Sequence, residues 1–98
     1  MSGILFYKTA QLEEIVRFYL ISTGAEIWLD QGKCVILKHG NMLFGFCQAD
    51  RADTSSIITF FYPTAGSINK LYSKLESITE AVPQINPFFR IYHFFARD

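Results

Sequence analysis

The sequence predicts an α+β fold in which a strand followed by an amphipathic helix is used twice. Three observations carry this expectation. Phe6-Tyr7 is followed by Leu12, Ile15, Val16 and Tyr19, and Phe61-Tyr62 by Ile68, Leu71, Tyr72 and Leu75. The offset is 55 residues at the aromatic pairs and 56 along the helical positions, so the two units share one layout with a single insertion. Ala25 to Gln48 then supplies three strand-like runs, whereas one convincing run follows the second helix before Asp98. The second unit is therefore expected to be incomplete.

Ile4 to Lys8 is a short run of strand formers. Thr9 is placed to cap a helix whose buried stripe is Leu12, Ile15, Val16 and Tyr19, with Glu13, Glu14 and Arg17 toward water. Gly24 ends that helix, since glycine takes the left-handed conformation there without penalty. Ala25 to Leu29 reads as the next strand and Asp30-Gln31-Gly32 as its turn.

Lys33 to Lys38 and Met42 to Gln48 form a hairpin through Gly40-Asn41, a two-residue loop suited to a type I′ or II′ turn. That loop sets His39 opposite Met42, Leu37 opposite Phe44, Val35 opposite Phe46 and Cys34 opposite Cys47. Alternation puts Val35, Leu37, Met42, Phe44 and Phe46 on one face, and Cys34, Ile36, Leu43, Gly45 and Cys47 on the other. Both faces are largely apolar, so one should cover the helices and the other should face something enclosed. His39 reads as a solvated turn residue. The two cysteines form a non-hydrogen-bonded pair, the closer kind, and are expected as free thiols in a reducing cytoplasm.

Gln48 to Ser56, with Asp50, Arg51 and Asp53, reads as a solvated linker. Ile57 to Tyr62 reads as a strand closed by Pro63, and Ser67 caps a second helix near Ile68 to Ile78. Pro83 and Pro87 bracket an irregular stretch, and Phe88 to Ala96 reads as the last strand. One domain spans 1–98, with a first unit at about 1–48, a linker at 49–56 and a second unit at 57–98.

Composition narrows the partners. Half of the 98 residues are apolar and 16% aromatic, more than one small core needs, so part of that surface is expected at a cavity or a subunit interface. Nine basic and nine acidic residues cancel, and no basic stripe exists for nucleic acid. No apolar run approaches the ~20 residues of a membrane span, and Met1-Ser2-Gly3 lacks the basic start of a signal peptide, so a cytoplasmic chain is expected. Neither a Cys-x-x-Cys pair, a nucleophile elbow around Ser55-Ser56, nor a Gly-rich phosphate loop is present.

The doubled strand–helix layout, the stretch Leu12-Glu13-Glu14-Ile15-Val16-Arg17-Phe18-Tyr19 with Gly24 after it, and the terminal Tyr92-His93-Phe94-Phe95-Ala96-Arg97-Asp98 resemble the vicinal oxygen chelate superfamily. That superfamily includes glyoxalase I, bleomycin-resistance proteins, fosfomycin-resistance enzymes and extradiol dioxygenases. The resemblance implies paired βαβββ units forming a curved mixed sheet, with helices on its outer side. It also implies that Asp98 stands where an Asp-Pro-x-Gly turn begins, so the chain is expected either to be a truncated form without the final strand or to have its open edge paired by another subunit, and a homodimer is expected. In metal-dependent members the ligands would fall near Ile4, near Ile57 and beyond Asp98. Neither isoleucine can coordinate, so no metal and no cofactor are expected.

By the same resemblance, the face of the last strand that holds His93 with Phe89, Ile91, Phe95 and Arg97 looks into a cavity. There an imidazole could bind a ligand or act as a base, or simply be a satisfied, half-buried side chain. Trp28, Phe44, Phe46, Tyr62 and Tyr92 could join it as an aromatic wall, or serve only as core packing. No catalytic residue is assigned. The function expected first is binding of a small apolar or aromatic molecule. The alternatives are a metal-dependent lyase or dioxygenase with displaced ligands, and an interaction module whose sheet edge pairs with a partner.

Overall fold

The structure, a computed structural model, describes residues 3–55, 57–86 and 91–98. The fold is α+β and comprises two compact units, one ending at Phe60 and the other spanning Phe61–Asp98. The first unit contains strand β1 (Ile4–Thr9), helix α1 (Leu12–Thr23) and strands β2 (Glu26–Asp30), β3 (Cys34–His39) and β4 (Met42–Gln48). Its four-stranded mixed sheet has the order β1-β4-β3-β2, with β1 parallel to β4 and the other pairs antiparallel.

Helix α1 begins without a side-chain cap at Gln11. Gln48 from β4 does that work, accepting from the Leu12 N–H at 3.0 Å and donating through Nε2 to the Ala10 carbonyl at 2.7 Å. The expected cap residue, Thr9, lies too early and instead accepts from the Gln11 N–H at 3.1 Å. Gly24 closes the helix at φ 78°, the left-handed conformation its position requires. The helix buries Val16 and Tyr19 against Val35, Leu37, Phe44 and Phe46. The Tyr19 ring stacks on Phe46 at 5.3 Å between centroids and meets Phe44 edge-on at 5.6 Å.

The hairpin register is the expected one, from His39 opposite Met42 to Cys34 opposite Cys47. The cysteine expectation is corrected: Cys34 and Cys47 are joined as a disulfide, their Cα atoms 4.0 Å apart. The non-hydrogen-bonded pairing already sets the two sulfurs face to face, and the expectation of thiols rested on a compartment rather than on this geometry. His39 is also corrected. It is half-buried, donates through Nε2 to the Thr23 carbonyl at 3.1 Å, and meets the Phe60 ring edge-on at 5.0 Å. Asp53 is more than a solvated linker residue. Its carboxylate accepts from the Lys8 N–H at 2.7 Å and its own N–H donates to the Lys8 carbonyl at 2.9 Å, closing the outer edge of β1 there.

Ile57 to Tyr62 does not form the expected strand. Ile58 and Phe60 pack on the first core, Ile57 and Phe61 are exposed, and Ser56 lies outside the described residues. The second unit contains α2 (Ala65–Leu75), a 3₁₀ turn (Glu76–Ile78), and strands β5 (Gln84–Asn86) and β6 (Ile91–His93), paired antiparallel. The α2 cap is Thr64 rather than Ser67: its Oγ1 accepts from the Ser67 N–H at 3.1 Å. The expected long last strand is shorter, since β6 ends at His93 and Ala96 forms an isolated bridge with Thr79. Pro87, Phe88, Phe89 and Arg90 lie outside the described residues. The stretch expected to be irregular holds β5.

Candidate functional site

The sheet of the first unit has two unequal faces. One is consumed by α1. On the other, register places Ile4 beside Leu43, Phe6 beside Gly45, Lys8 beside Cys47, and Leu29 beside Ile36. Ile36 is 2% exposed and forms the floor, while Phe6 and Leu29 keep 50% and 44% of their surface exposed. Ile4 and Leu43 are half-buried. Gly45 makes this surface possible. A Cβ there would fall 2.8 Å from two carbons of the Phe6 ring, so the missing side chain is what lets that ring lie across β4. The face is apolar at its centre, with Lys8 toward one end and the register pair Glu26–Lys38 toward the other.

Trp28 borders this sheet from a register shift between Ile27 and Leu29, and is 50% exposed. Phe44 and Phe46 do not belong to an exposed wall. They are 1% and 4% exposed, under α1, where Tyr19 and Leu37 complete the core. Alternation correctly separates the two hairpin faces but does not reveal which one the helix takes. The residues that sequence reasoning missed, Phe6 and Leu29, sit on the opposite face. The signal the sequence offered was Gly45 itself, a glycine within a strand, which marks a close approach by a neighbour.

His93 lies in the second unit, opposite Gln84 in the β5–β6 ladder. It lines a cavity of about 130 Å³ together with Glu80, Val82, Gln84, Phe94 and Phe95. Its Nδ1 is buried and has no hydrogen-bond partner among the described residues, and its ring meets Phe95 edge-on at 5.3 Å. The neighbouring Tyr92 donates its hydroxyl to Asn69 Oδ1 at 2.6 Å, which ties β6 to α2. Burial pushes the Tyr62 hydroxyl above its ordinary value. Glu80 and Arg97 form an exposed ion pair at 3.6 Å.

Ile4 sits on the open face with no donor atom, Ile57 lies outside any strand, and the described residues hold no group of three His, Cys, Asp or Glu that could enclose a metal. Among the described residues no helix is long and apolar enough to cross a membrane.

No protein-family model and no curated protein matches this sequence. A solved structure does. The lactoylglutathione lyase from Agrobacterium tumefaciens superposes with a TM-score of 0.70 at 21% identity, covering 100% of this chain and 84% of that one. The fold is of the glyoxalase type. At this identity the likeness is one of architecture, which hosts many unrelated chemistries.

Proposed function

We propose that this protein binds a small apolar or aromatic molecule on the open face of its four-stranded sheet, as a glyoxalase-type protein without a metal centre. The observation that supports this reading is the face itself, where Phe6 and Leu29 stand exposed beside a buried Ile36 floor. Soluble proteins rarely leave contiguous apolar surface uncovered without a binding role. The protein of similar fold is a lactoylglutathione lyase. Binding is favoured over that activity here because the centre of the open face is apolar carbon, and its ends carry Lys8 and the register pair Glu26–Lys38 rather than a set of imidazole and carboxylate donors. The same exposed surface gives a motive for a homodimer.

Titration with a naphthalene sulfonate, followed through fluorescence of Trp28, tests the reading. Saturable binding at one site per chain is expected, and Leu43→Lys should weaken it by about tenfold or more by placing an ammonium among the apolar contacts. A flat titration, or identical affinity in the variant, overturns it.

A further inference from the structure

We propose that Cys34 and Cys47 form a reversible redox couple that exchanges with low-molecular-weight thiols in the folded protein, with Cys47 as the leaving sulfur. This goes beyond ligand binding on the same sheet and does not depend on it.

The sulfurs are held as a pair by the backbone ladder rather than by their own bond. The Gly40-Asn41 loop sets the register. Beyond the cysteines, the Gln48 N–H donates to the Lys33 carbonyl at 2.8 Å and the Gln31 N–H donates to the Cys34 carbonyl at 2.8 Å. None of these contacts requires the disulfide. Reduction therefore leaves two thiols facing each other in an intact hairpin, poised to close again. Both cysteines are half-buried rather than sealed in the core, which gives a small thiolate access.

Charge makes the two sulfurs unequal. Lys8 on β1 is the register partner of Cys47, and the pleat puts both on one face. Cys34 has Cys47 and the end of β2 as its neighbours across the sheet, with no cation in register. The other charges nearby are Lys33, which precedes Cys34, and Asp30 and Asp53, whose carboxylates accept from the backbone N–H groups of Gly32 and Lys8. An ammonium beside a sulfur stabilises its thiolate and makes it the better leaving group. A small thiolate thus attacks Cys34 Sγ, forming a mixed disulfide as the Cys34–Cys47 bond breaks and its electron pair departs on Cys47 Sγ. A second thiolate attacks the small thiol's sulfur in that mixed disulfide and releases Cys34. Two thiols become one external disulfide, and their two protons end on the cysteines.

The full chain, oxidised and folded, is exposed to three thiols without denaturant: mercaptoethanesulfonate, 2-mercaptoethanol and cysteamine. Iodoacetamide trapping and mass spectrometry then count free thiols while circular dichroism follows the fold. Doubly alkylated protein with an unchanged spectrum is expected, and removal of the reductant in air should restore the bond. Lys8→Gln should slow reduction by 2-mercaptoethanol on the order of threefold, with a larger loss for the anionic thiol, and Lys8→Arg should keep the rate. A bond that yields to thiols only in denaturant overturns the proposal. Equal rates in the wild type and Lys8→Gln overturn the assignment of Cys47 as the leaving sulfur.

Discussion

The two units start from the same spacing of apolar residues and reach very different degrees of order. In the first, Phe6-Tyr7 lies within β1 and pairs in parallel with β4, and a core of seven buried residues gathers between α1 and the sheet. In the second, Phe61-Tyr62 lies outside any strand, and Leu75 is the one buried apolar side chain among the described residues. A helix needs only its own backbone and an apolar stripe, so both units form one. A strand needs a neighbour. The first unit supplies it by carrying three further strands in sequence, whereas the described residues of the second hold two strands, Gln84–Asn86 and Ile91–His93.

The difference predicts where stability resides. Phe44 is 1% exposed and meets Tyr19, Phe46 and Phe60 as an aromatic cluster. Phe44→Ala should destabilise the first unit by about 3–5 kcal/mol, through lost transfer energy and the cavity left behind. Urea unfolding followed by Trp28 fluorescence measures this. A loss under about 1 kcal/mol would mean that the core tolerates a void and that the contrast between the units is not one of packing.

A smaller effect sharpens the account of the open face. Gly45→Ala places a Cβ 2.8 Å from two Phe6 ring carbons and 3.3 Å from the Val35 carbonyl oxygen. The ring must swing outward, which its 50% exposure permits, while the backbone oxygen cannot yield as readily. A cost of about 1–3 kcal/mol is expected, partly relieved when Phe6→Ala is combined with it. Strict additivity of the two substitutions in equilibrium unfolding would show that the ring does not rest on that glycine.

How much of this was legible follows from which interactions are local. The hairpin register was readable to the residue, because a two-residue loop leaves one pairing and fixes every partner from His39–Met42 to Cys34–Cys47. The left-handed Gly24 was readable for the same reason. The strand expected at Ile57 to Tyr62 failed because an apolar run shows strand propensity but not whether an edge is available to it, and Ile58 and Phe60 instead pack on the first core. Phe44 and Phe46 were expected in a ligand wall because alternation defines two faces without saying which one α1 covers. His93 was legible as a polar group on an apolar strand. The cavity around it depends on Gln84, on a short strand that two flanking prolines disguised, and on Glu80 and Val82 just before that strand.

The smallest effect tests the second unit from inside. The Thr64 hydroxyl accepts from the Ser67 N–H at 3.1 Å and lies 2.9 Å from the Ser67 hydroxyl, at the start of α2. Thr64→Ala leaves the Ser67 N–H without its capping acceptor and should cost about 1 kcal/mol. If the units differ as their cores suggest, that loss stays local. Amide exchange in α2 should accelerate about fivefold while the amides of β3 and β4 keep their protection, because the deep core never sees the change. Equal acceleration in both places would show that the chain opens as one cooperative unit, and the contrast between the two halves would then be one of appearance rather than of energy.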